Sequence, residues 1–368
     1  MIRYNRQPII RSNWQSLHID LWLTVWVLVL VVFGFLILFS ASNQNMGVMI
    51  KQLIWLLIGF VTMLVFSNIP PRFYYQWTPT VFIFGIFLLV FVLIFGDAGR
   101  GARRWFDLGF FHFQPSEIMK LSTPMMLAYY LSNKKLPLQV KPLFLSLILL
   151  VSPAILIAKQ PDLGTAVIIG ISGLCVLLLA GMSWRLIAVS LFLIVLGTPV
   201  FWRFMHTYQK NRVLTFLNPE RDPLKEGYHI IQSKIALGSG GLFGKGWLHG
   251  TQSHFQFLPV HTTDFIFSVN GEEFGFFGCI ILLLLFVVVF SRCFLYISRK
   301  AQDTYSRLLS GSLSLTFILS TLINIGMVVG ILPVVGVPLP LISYGGSSIV
   351  TTMAGFGIIM SIHTHRKL

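Results

Sequence analysis

One carboxylate in this sequence is placed where it could act as a general base. Asp264 stands between a polar segment, residues 261–263, and an apolar one, residues 265–267. Apolar neighbours desolvate a carboxylate, and desolvation raises both its pKa and its basicity. Such a group can remove a proton from a hydroxyl. The structural alternative is a helix N-cap, where Asp is favoured, and the two roles are compatible.

Two further acidic residues follow Asp264 in the same segment. If a helix has begun, Glu272 lies about two turns beyond Asp264 on a similar face, with Glu273 beside it. These carboxylates could bind a cation, or they could hold the preceding loop in place. The sequence leaves both interpretations open.

Opposite charges occur together at the start of another apolar segment. Glu117 and Lys120 are spaced i and i+3, so they face each other on a helix. Pro115 suits the first turn of that helix. The pair could be an ion pair that makes both charges tolerable in a membrane, or Lys120 could contact an anionic substrate.

Several basic residues could together bind an anionic lipid or a pyrophosphate. Arginine's planar fork suits phosphate oxygens, although each residue alone would be an ordinary solvated charge. The residues are Arg100, Arg103, Arg104, Lys159, Arg212 and Lys245. No histidine or cysteine spacing predicts a zinc site, and the three cysteines fall inside apolar segments.

The composition requires a membrane to position these groups. Of 368 residues, 55% are hydrophobic and 11% are charged, against about 25% charged in soluble domains. A membrane-spanning helix needs about 20 apolar residues. We therefore predict an all-α polytopic membrane protein, a single domain over residues 1–368, with about ten transmembrane helices. The predicted spans are 21–39, 53–67, 79–96, 114–132, 143–158, 163–181, 186–202, 276–297, 311–332 and 348–362.

The distribution of basic residues predicts the orientation. With both termini in the cytoplasm, Lys and Arg are concentrated in the cytoplasmic segments, as the positive-inside rule requires. If the weak span 114–132 did not cross the membrane, every later segment would change sides. Lys and Arg would then be concentrated in the outer loops, against the rule. The net charge of +15 thus reflects topology rather than nucleic-acid binding. Most acidic residues then lie at the outer ends of the helices, where we expect the chemistry. The first apolar run lacks a cleavage site, so we expect it to remain as an anchor.

One outer loop is too long for a simple connector. It covers about residues 203–270, between the seventh and eighth predicted spans. Residues 227–237 have helical spacing and predict an amphipathic helix on the membrane surface. The glycine-rich residues 238–246 do not match a nucleotide-binding loop, so they predict bends and close backbone approach.

The combined motifs resemble the SEDS family (shape, elongation, division and sporulation). They run in the family's order along the whole chain. The segments that carry the resemblance are Gly101–Trp105, Gln114–Lys120, Lys159–Thr165, Arg212–Pro219, Glu226–Ser233, Phe257–Pro259, Thr263–Phe267 and Leu339–Ser348. Family members usually have Glu and His where this chain has Val260 and Thr262.

The resemblance implies a peptidoglycan glycosyltransferase that polymerises lipid II at the periplasmic face of the bacterial inner membrane during cell elongation. It implies a class B penicillin-binding protein, a transpeptidase, as partner, and membrane lipid as surroundings. The family's essential aspartate maps onto Asp264, and its Glu and Lys map onto Glu117 and Lys120. The residues expected to bind substrate or its undecaprenyl pyrophosphate group are Arg103, Arg104, Glu117, Lys120, Lys159, Asp162, Arg212, Gln232, Ser233, Thr263 and Ser343. The family's asparagine-proline motif maps onto Asn218 and Pro219.

A divalent cation, Mg²⁺ or Mn²⁺, is the cofactor that we expect to assist departure of the pyrophosphate. Two other classes of function remain. A lipid II flippase predicts charged groups near the bilayer midplane and interrupted helices. A non-catalytic scaffold for the transpeptidase predicts that Asp264 is dispensable.

Overall fold

The computed structural model describes residues 18–99, 102–107, 112–204, 207–218, 226–254, 260–297 and 301–365, and these residues are mostly helical. The helices are α1 (Leu21–Ala41), α2 (Met46–Asn68), α3 (Pro71–Phe95), α4 (Pro115–Ser132), α5 (Val140–Lys159), α6 (Leu163–Leu179), α7 (Trp184–Phe204), α8 (Thr207–Leu217), α9 (Glu226–Ser239), α10 (Thr251–His254), α11 (Ile266–Ser291), α12 (Thr304–Val329) and α13 (Gly346–Thr364). A π-helical turn, Arg292–Ile297, continues α11. A small antiparallel sheet, β1 (Asp97–Gly99), β2 (Ala102–Asp107) and β3 (His112–Phe113), follows α3.

Each predicted span coincides with a long helix, from α1 to α7 and from α11 to α13. Seven of the described helices are long and apolar enough to cross a membrane, and α6 is apolar but shorter. The all-α polytopic prediction is therefore confirmed, with the small sheet as an addition. The boundaries differ most at α11, which begins at Ile266 rather than at the predicted position 276, because Gly271 and the acidic residues are part of the helix.

The weak fourth span is the central helix of the bundle. α4 packs against α3, α5, α6, α12 and α13. Its polar residues Ser116, Glu117, Ser122 and Thr123 are buried by these neighbours. Because protein rather than lipid surrounds α4, it can carry charge at membrane depth despite its low hydropathy.

The two ends of the described chain meet at one end of the bundle. The rings of His18 and His365 stack with their centroids 3.8 Å apart. Asp20 caps α1 and accepts hydrogen bonds from Arg292 at 2.7 Å, while His363 lies 3.3 Å from the same carboxylate. This adjacency is what the prediction of both termini on one side of the membrane requires, and the number of crossings stays a prediction. The assignment of that side to the cytoplasm stays a prediction.

The predicted amphipathic helix is α9, which packs on α11 and α12. Ile230, Ser233 and Ala236 form its buried face, whereas Lys234 and Ile235 are exposed. The helix itself is confirmed, and its placement on the membrane surface stays a prediction.

The glycine-rich loop joins α11 backbone to backbone. Gly275 has φ 66° and ψ −160° and breaks α11, so two amides beyond the break lose their helical acceptors. The loop restores this pairing through four bonds of 2.9 to 3.2 Å: Phe276 N to Gly241 O, Phe277 N to Leu242 O, Lys245 N to Glu272 O and Gly246 N to Glu273 O. A Cβ on Gly244 would lie 2.0 Å from the carbonyl oxygen of Glu273. The predicted close backbone approach is confirmed.

Candidate active site

The turn that carries Asp264 is held by its backbone. Three successive carbonyl groups, at residues 262–264, accept hydrogen bonds from the polypeptide around the start of α13 and from α12. The donors are Tyr344 N at 2.9 Å, Ser343 Oγ at 2.5 Å and Asn324 Nδ2 at 2.9 Å. The position of the Asp264 backbone is therefore fixed without use of its side chain.

The side-chain carboxylate of Asp264 takes no part in capping the helix that follows it. α11 begins at Ile266, and its N-cap residue is Phe265, which makes no side-chain cap. The N-cap interpretation of Asp264 is therefore wrong. Burial raises the pKa of Asp264 to about 6, and the positive charge of Arg212 opposes this rise. Among the described residues no group donates a hydrogen bond to this carboxylate, so it is available to a ligand.

Two glycines bring other segments close to Asp264. Gly336 has φ 76°, and a Cβ there would lie 3.6 Å from Asp264 Oδ2. A Cβ on Gly164, at the start of α6, would lie 2.5 Å from the carbonyl oxygen of Val335. The segment before α13 therefore lies between Asp264 and the predicted motif at residues 159–165. In that motif Asp162 accepts a 2.7 Å hydrogen bond from Gln114 and caps α6.

The predicted ion pair on α4 is confirmed. Lys120 Nζ lies 2.7 Å from Glu117 Oε1, and both side chains are largely buried. The pair lines a cavity of about 80 Å³ together with Pro338 and Pro340, which belong to the segment that contacts Asp264. Glu117 Oε2 is buried with no hydrogen-bond partner among the described residues. Contact of Lys120 with a substrate stays a prediction.

A large groove begins beside this pair. It has a volume of about 1560 Å³ and lies between α2, α3, α4 and α13. Its lining extends along α2 from Lys51 to Asn68, which is about 25 Å at 1.5 Å per residue and comparable to the apolar thickness of a bilayer. Most of the lining is apolar or aromatic. Glu117 and Tyr344 belong to its lining. The amide of Tyr344 donates to the carbonyl of Thr262, so one backbone hydrogen bond joins the groove lining to the turn that carries Asp264, although Asp264 itself does not line the groove.

Glu272 holds a loop. Its side chain is fully buried and accepts hydrogen bonds from Lys245 Nζ at 2.6 Å, from the amide and hydroxyl of Thr251, and from the amide of Gln252. Glu273 accepts a short hydrogen bond from Ser40. The structural interpretation of the acidic pair is therefore confirmed, and Lys245 is engaged there rather than in an anion-binding cluster.

The remaining predicted residues have varied surroundings. Ser233 and Ser343 donate their hydroxyls to the carbonyls of Val328 and Thr263, and Thr263 donates to Val260 O. Lys159 is exposed, whereas Gln232 and Arg212 are half-buried. Arg100 lies outside the described residues. Arg103 and Arg104 lie on β2, but their side chains are not described. Asn218 is exposed, and Pro219 also falls outside the described ranges.

Two residues that contribute to this site were not predicted. Asn324 is a fully buried amide in an apolar span, and this polarity at membrane depth was the available signal. Gly336 needs its positive φ, but a single glycine in a loop gives no specific signal. Over the residues that the structure describes, no group of three or more His, Cys, Asp or Glu side chains could hold a metal ion.

The fold and this site define a multi-pass helical membrane protein with a partly buried carboxylate on a turn that is hydrogen-bonded to the lining of a long apolar groove. Residues 20–368 match the family model FTSW_RODA_SPOVE, described as "Cell cycle protein". The chain belongs to this family, the SEDS family that its motifs predict.

Comparison with individual proteins agrees. Over 362 residues the chain is 50% identical to the peptidoglycan glycosyltransferase MrdB of Escherichia coli K12, covering 98% of both chains. A solved chain from a peptidoglycan synthase complex that coordinates polymerization and crosslinking is 33% identical, with a TM-score of 0.81 and coverage of 94% and 97%. The rod shape determining protein RodA of Thermus thermophilus is 28% identical, with a TM-score of 0.72 and coverage of 95% and 98%.

Proposed function

We propose that this chain is a peptidoglycan glycosyltransferase that polymerises lipid II at the periplasmic face of the bacterial inner membrane during cell elongation. The 50% identity to a relative of that name over nearly the full length of both chains supports the activity. The observation that carries the site assignment is Asp264, a carboxylate with a raised pKa and no described hydrogen-bond donor, on a turn that is hydrogen-bonded to Tyr344 of the groove lining.

In the proposed reaction Asp264 removes the proton from the acceptor sugar hydroxyl. The resulting oxygen forms a bond to the anomeric carbon of the lipid-linked donor, and the bond from that carbon to the pyrophosphate breaks. Undecaprenyl pyrophosphate leaves with the bonding electrons. A base whose pKa lies near the working pH combines a useful ionised fraction with proton affinity, and a pKa of about 6 meets this condition.

The groove suits the lipid part of such a substrate. Its length along α2 is close to the apolar thickness of a membrane, and Trp55, Phe66 and Trp77 contribute to an apolar lining. A polyprenyl tail bound there would bring its pyrophosphate towards the Glu117 and Lys120 pair. Binding of substrate by Arg103, Arg104, Lys159, Asp162, Gln232 and the serines 233 and 343 remains part of the proposal.

The cationic residues and a divalent cation would offset the charge of the leaving group. Lys120 and Arg212 are the predicted cations whose surroundings support charge neutralisation. The charge of Arg212 lowers the pKa of Asp264, and Lys120 lines the neighbouring cavity. Glu117 Oε2, which is buried with no hydrogen-bond partner among the described residues, offers a carboxylate oxygen, and Mg²⁺ is commonly held by one or two carboxylates together with substrate phosphates. When bound, Mg²⁺ or Mn²⁺ would neutralise pyrophosphate charge.

We also propose a class B penicillin-binding protein as partner. The structural neighbour belongs to a synthase complex that coordinates polymerization and crosslinking, and the likeness covers nearly all of both chains. A transpeptidase that crosslinks the new strands is the partner chemistry that such coordination requires.

A lipid II flippase is the alternative with an observation in its favour, since the groove runs along most of α2. The described charges nevertheless gather at the helix ends, where Glu117 lies in the first turn of α4. A transporter predicts substrate groups near the midplane. Vesicles in which the purified protein moved lipid II without polymerising it would favour this alternative.

The test is polymerisation of lipid II by the purified protein together with its transpeptidase. We expect Asp264→Asn to lower the rate by about 10²–10⁴-fold, the range of a general base. Asp303→Asn is the matched control, because it makes the same change at the N-cap of α12, where Asn also caps well. Near-normal glycan synthesis by folded Asp264→Asn would overturn the assignment of Asp264 as the base. The scaffold would be favoured if the variant bound the transpeptidase and restored rod shape.

A further inference from the structure

We infer that Asn324 is a positioning residue for the transferase reaction. Its side-chain amide holds the backbone of Asp264 and the turn at residues 336–338 in one relative arrangement. The inference rests on the proposed function, in which Asp264 is the base. Asn324 itself touches neither the reacting atoms nor the groove lining.

Both amide hydrogens of Asn324 are used. Nδ2 donates to the carbonyl of Asp264 at 2.9 Å and to the carbonyl of Val337 at 2.6 Å. Both partners are carbonyl oxygens, which only accept, so the nitrogen rather than the oxygen of the amide must face them. One fully buried side chain on α12 therefore joins the segment before α11 to the segment before α13.

This connection determines what lies beside the carboxylate. Val337 follows Gly336, whose Cβ position lies 3.6 Å from Asp264 Oδ2. The bond to Val337 therefore holds one wall of the carboxylate's surroundings, while the bond to Asp264 holds the residue itself. Misplacement of a reacting group by about 1 Å can cost about 10²-fold in rate.

The remaining atom of the amide carries a cost that the other two contacts must offset. Asn324 Oδ1 is buried with no hydrogen-bond partner among the described residues. An apolar residue at this position would remove that cost but leave the carbonyls of Asp264 and Val337 without this donor, so the amide serves those two contacts. Buried polar groups at membrane depth with such a cost point to function.

The experiment compares Asn324→Asp with Thr321→Val in the complex with the transpeptidase. Asn324→Asp keeps the side-chain shape and removes both donors. Thr321→Val removes a buried hydroxyl bond to Phe317 O one turn earlier on α12, with no described contact to the Asp264 turn. We expect kcat for lipid II polymerisation, per folded protein, to fall by about 10²-fold in Asn324→Asp with KM unchanged. Thr321→Val should keep its kcat. Asn324→Ala, which leaves room for water, is the second variant if Asn324→Asp is not recovered folded.

A second readout measures position without activity. In a chain with Asp264→Cys and the three native cysteines replaced by alanine, a membrane-impermeant maleimide labels residue 264. We expect Asn324→Asp, but not Thr321→Val, to change the labelling rate severalfold. Unchanged labelling overturns the inference, whatever the rate of polymerisation. Changed labelling with an unchanged kcat overturns it as well, because Asn324 would then not serve the reaction. The assignment of Asp264 as the base is tested separately by Asp264→Asn, so the two proposals fail separately.

Discussion

Asp264 and Glu272 are two carboxylates at the same end of one helix, but they differ in the hydrogen-bond donors that surround them. Glu272 is fully buried and accepts hydrogen bonds from Lys245, Thr251 and Gln252. Asp264 is half-buried, and among the described residues Arg212 alone lowers its pKa while desolvation raises it. A satisfied carboxylate stabilises a loop, whereas an unsatisfied one keeps its proton affinity for a substrate.

Among the substitutions that test this difference, we expect Glu272→Gln to have the largest effect on stability. Glu272→Gln removes a buried charge that pairs at 2.6 Å with the partly exposed Lys245 and accepts hydrogen bonds from Thr251 and Gln252. Hydrogen bonds to a charged group contribute about 1.5–3 kcal/mol, so we expect a clearly lower thermal midpoint in detergent. Asp303→Asn is the control. A midpoint equal to that of the unchanged protein would mean that Glu272 does not hold the loop.

Asp264→Asn should shift stability in the opposite direction. The folded-state pKa of Asp264, about 6, lies above its ordinary value of 3.8. The folded protein therefore binds this proton more tightly than the unfolded chain, and stability falls as pH rises through this window. Above pH 6 the ionised carboxylate destabilises the fold, so its removal should add about 1–3 kcal/mol while activity is lost. A destabilised Asp264→Asn would contradict the comparison, and denaturant titration at pH 8 and pH 4 would measure it.

The smallest effect concerns the pH dependence of polymerisation. A base must be ionised, so activity should fall by about tenfold per pH unit below the pKa of Asp264, about 6. Arg212→Gln removes the charge that lowers this pKa and should move the acidic limb of the kcat/KM profile to higher pH. An acidic limb near pH 4 in the unchanged protein would show a hydrated carboxylate. A limb that did not respond to Arg212→Gln would assign the titration to another group.

Much of the fold could be predicted because the membrane imposes strong constraints on composition. Apolar runs predicted the other long helices of the described chain. The distribution of basic residues was needed to predict α4, because its hydropathy alone is too low. The boundaries of α11 could not be predicted in the same way. Its first turns carry Glu272 and Glu273, whose partners come from a loop and from Ser40 on α1, distant in sequence.

The site was partly predictable for the same reason. Asp264 and the pair formed by Glu117 and Lys120 were visible from local patterns of charge beside apolar residues. Ser343 was expected at the substrate and instead donates to the Asp264 turn, while Asn324 was not expected at all. Both belong to contacts between residues far apart in the chain, which no local pattern records.

The sequence by itself determined the helical membrane class, the segment that carries the acid and the family to which the chain belongs, because hydropathy, charge and motif order are properties of local runs of residues. The tertiary structure alone decided which carboxylate is satisfied and which is left available. That decision depends on whether distant donors reach a buried oxygen, and hydrogen bonds act only within about 3 Å.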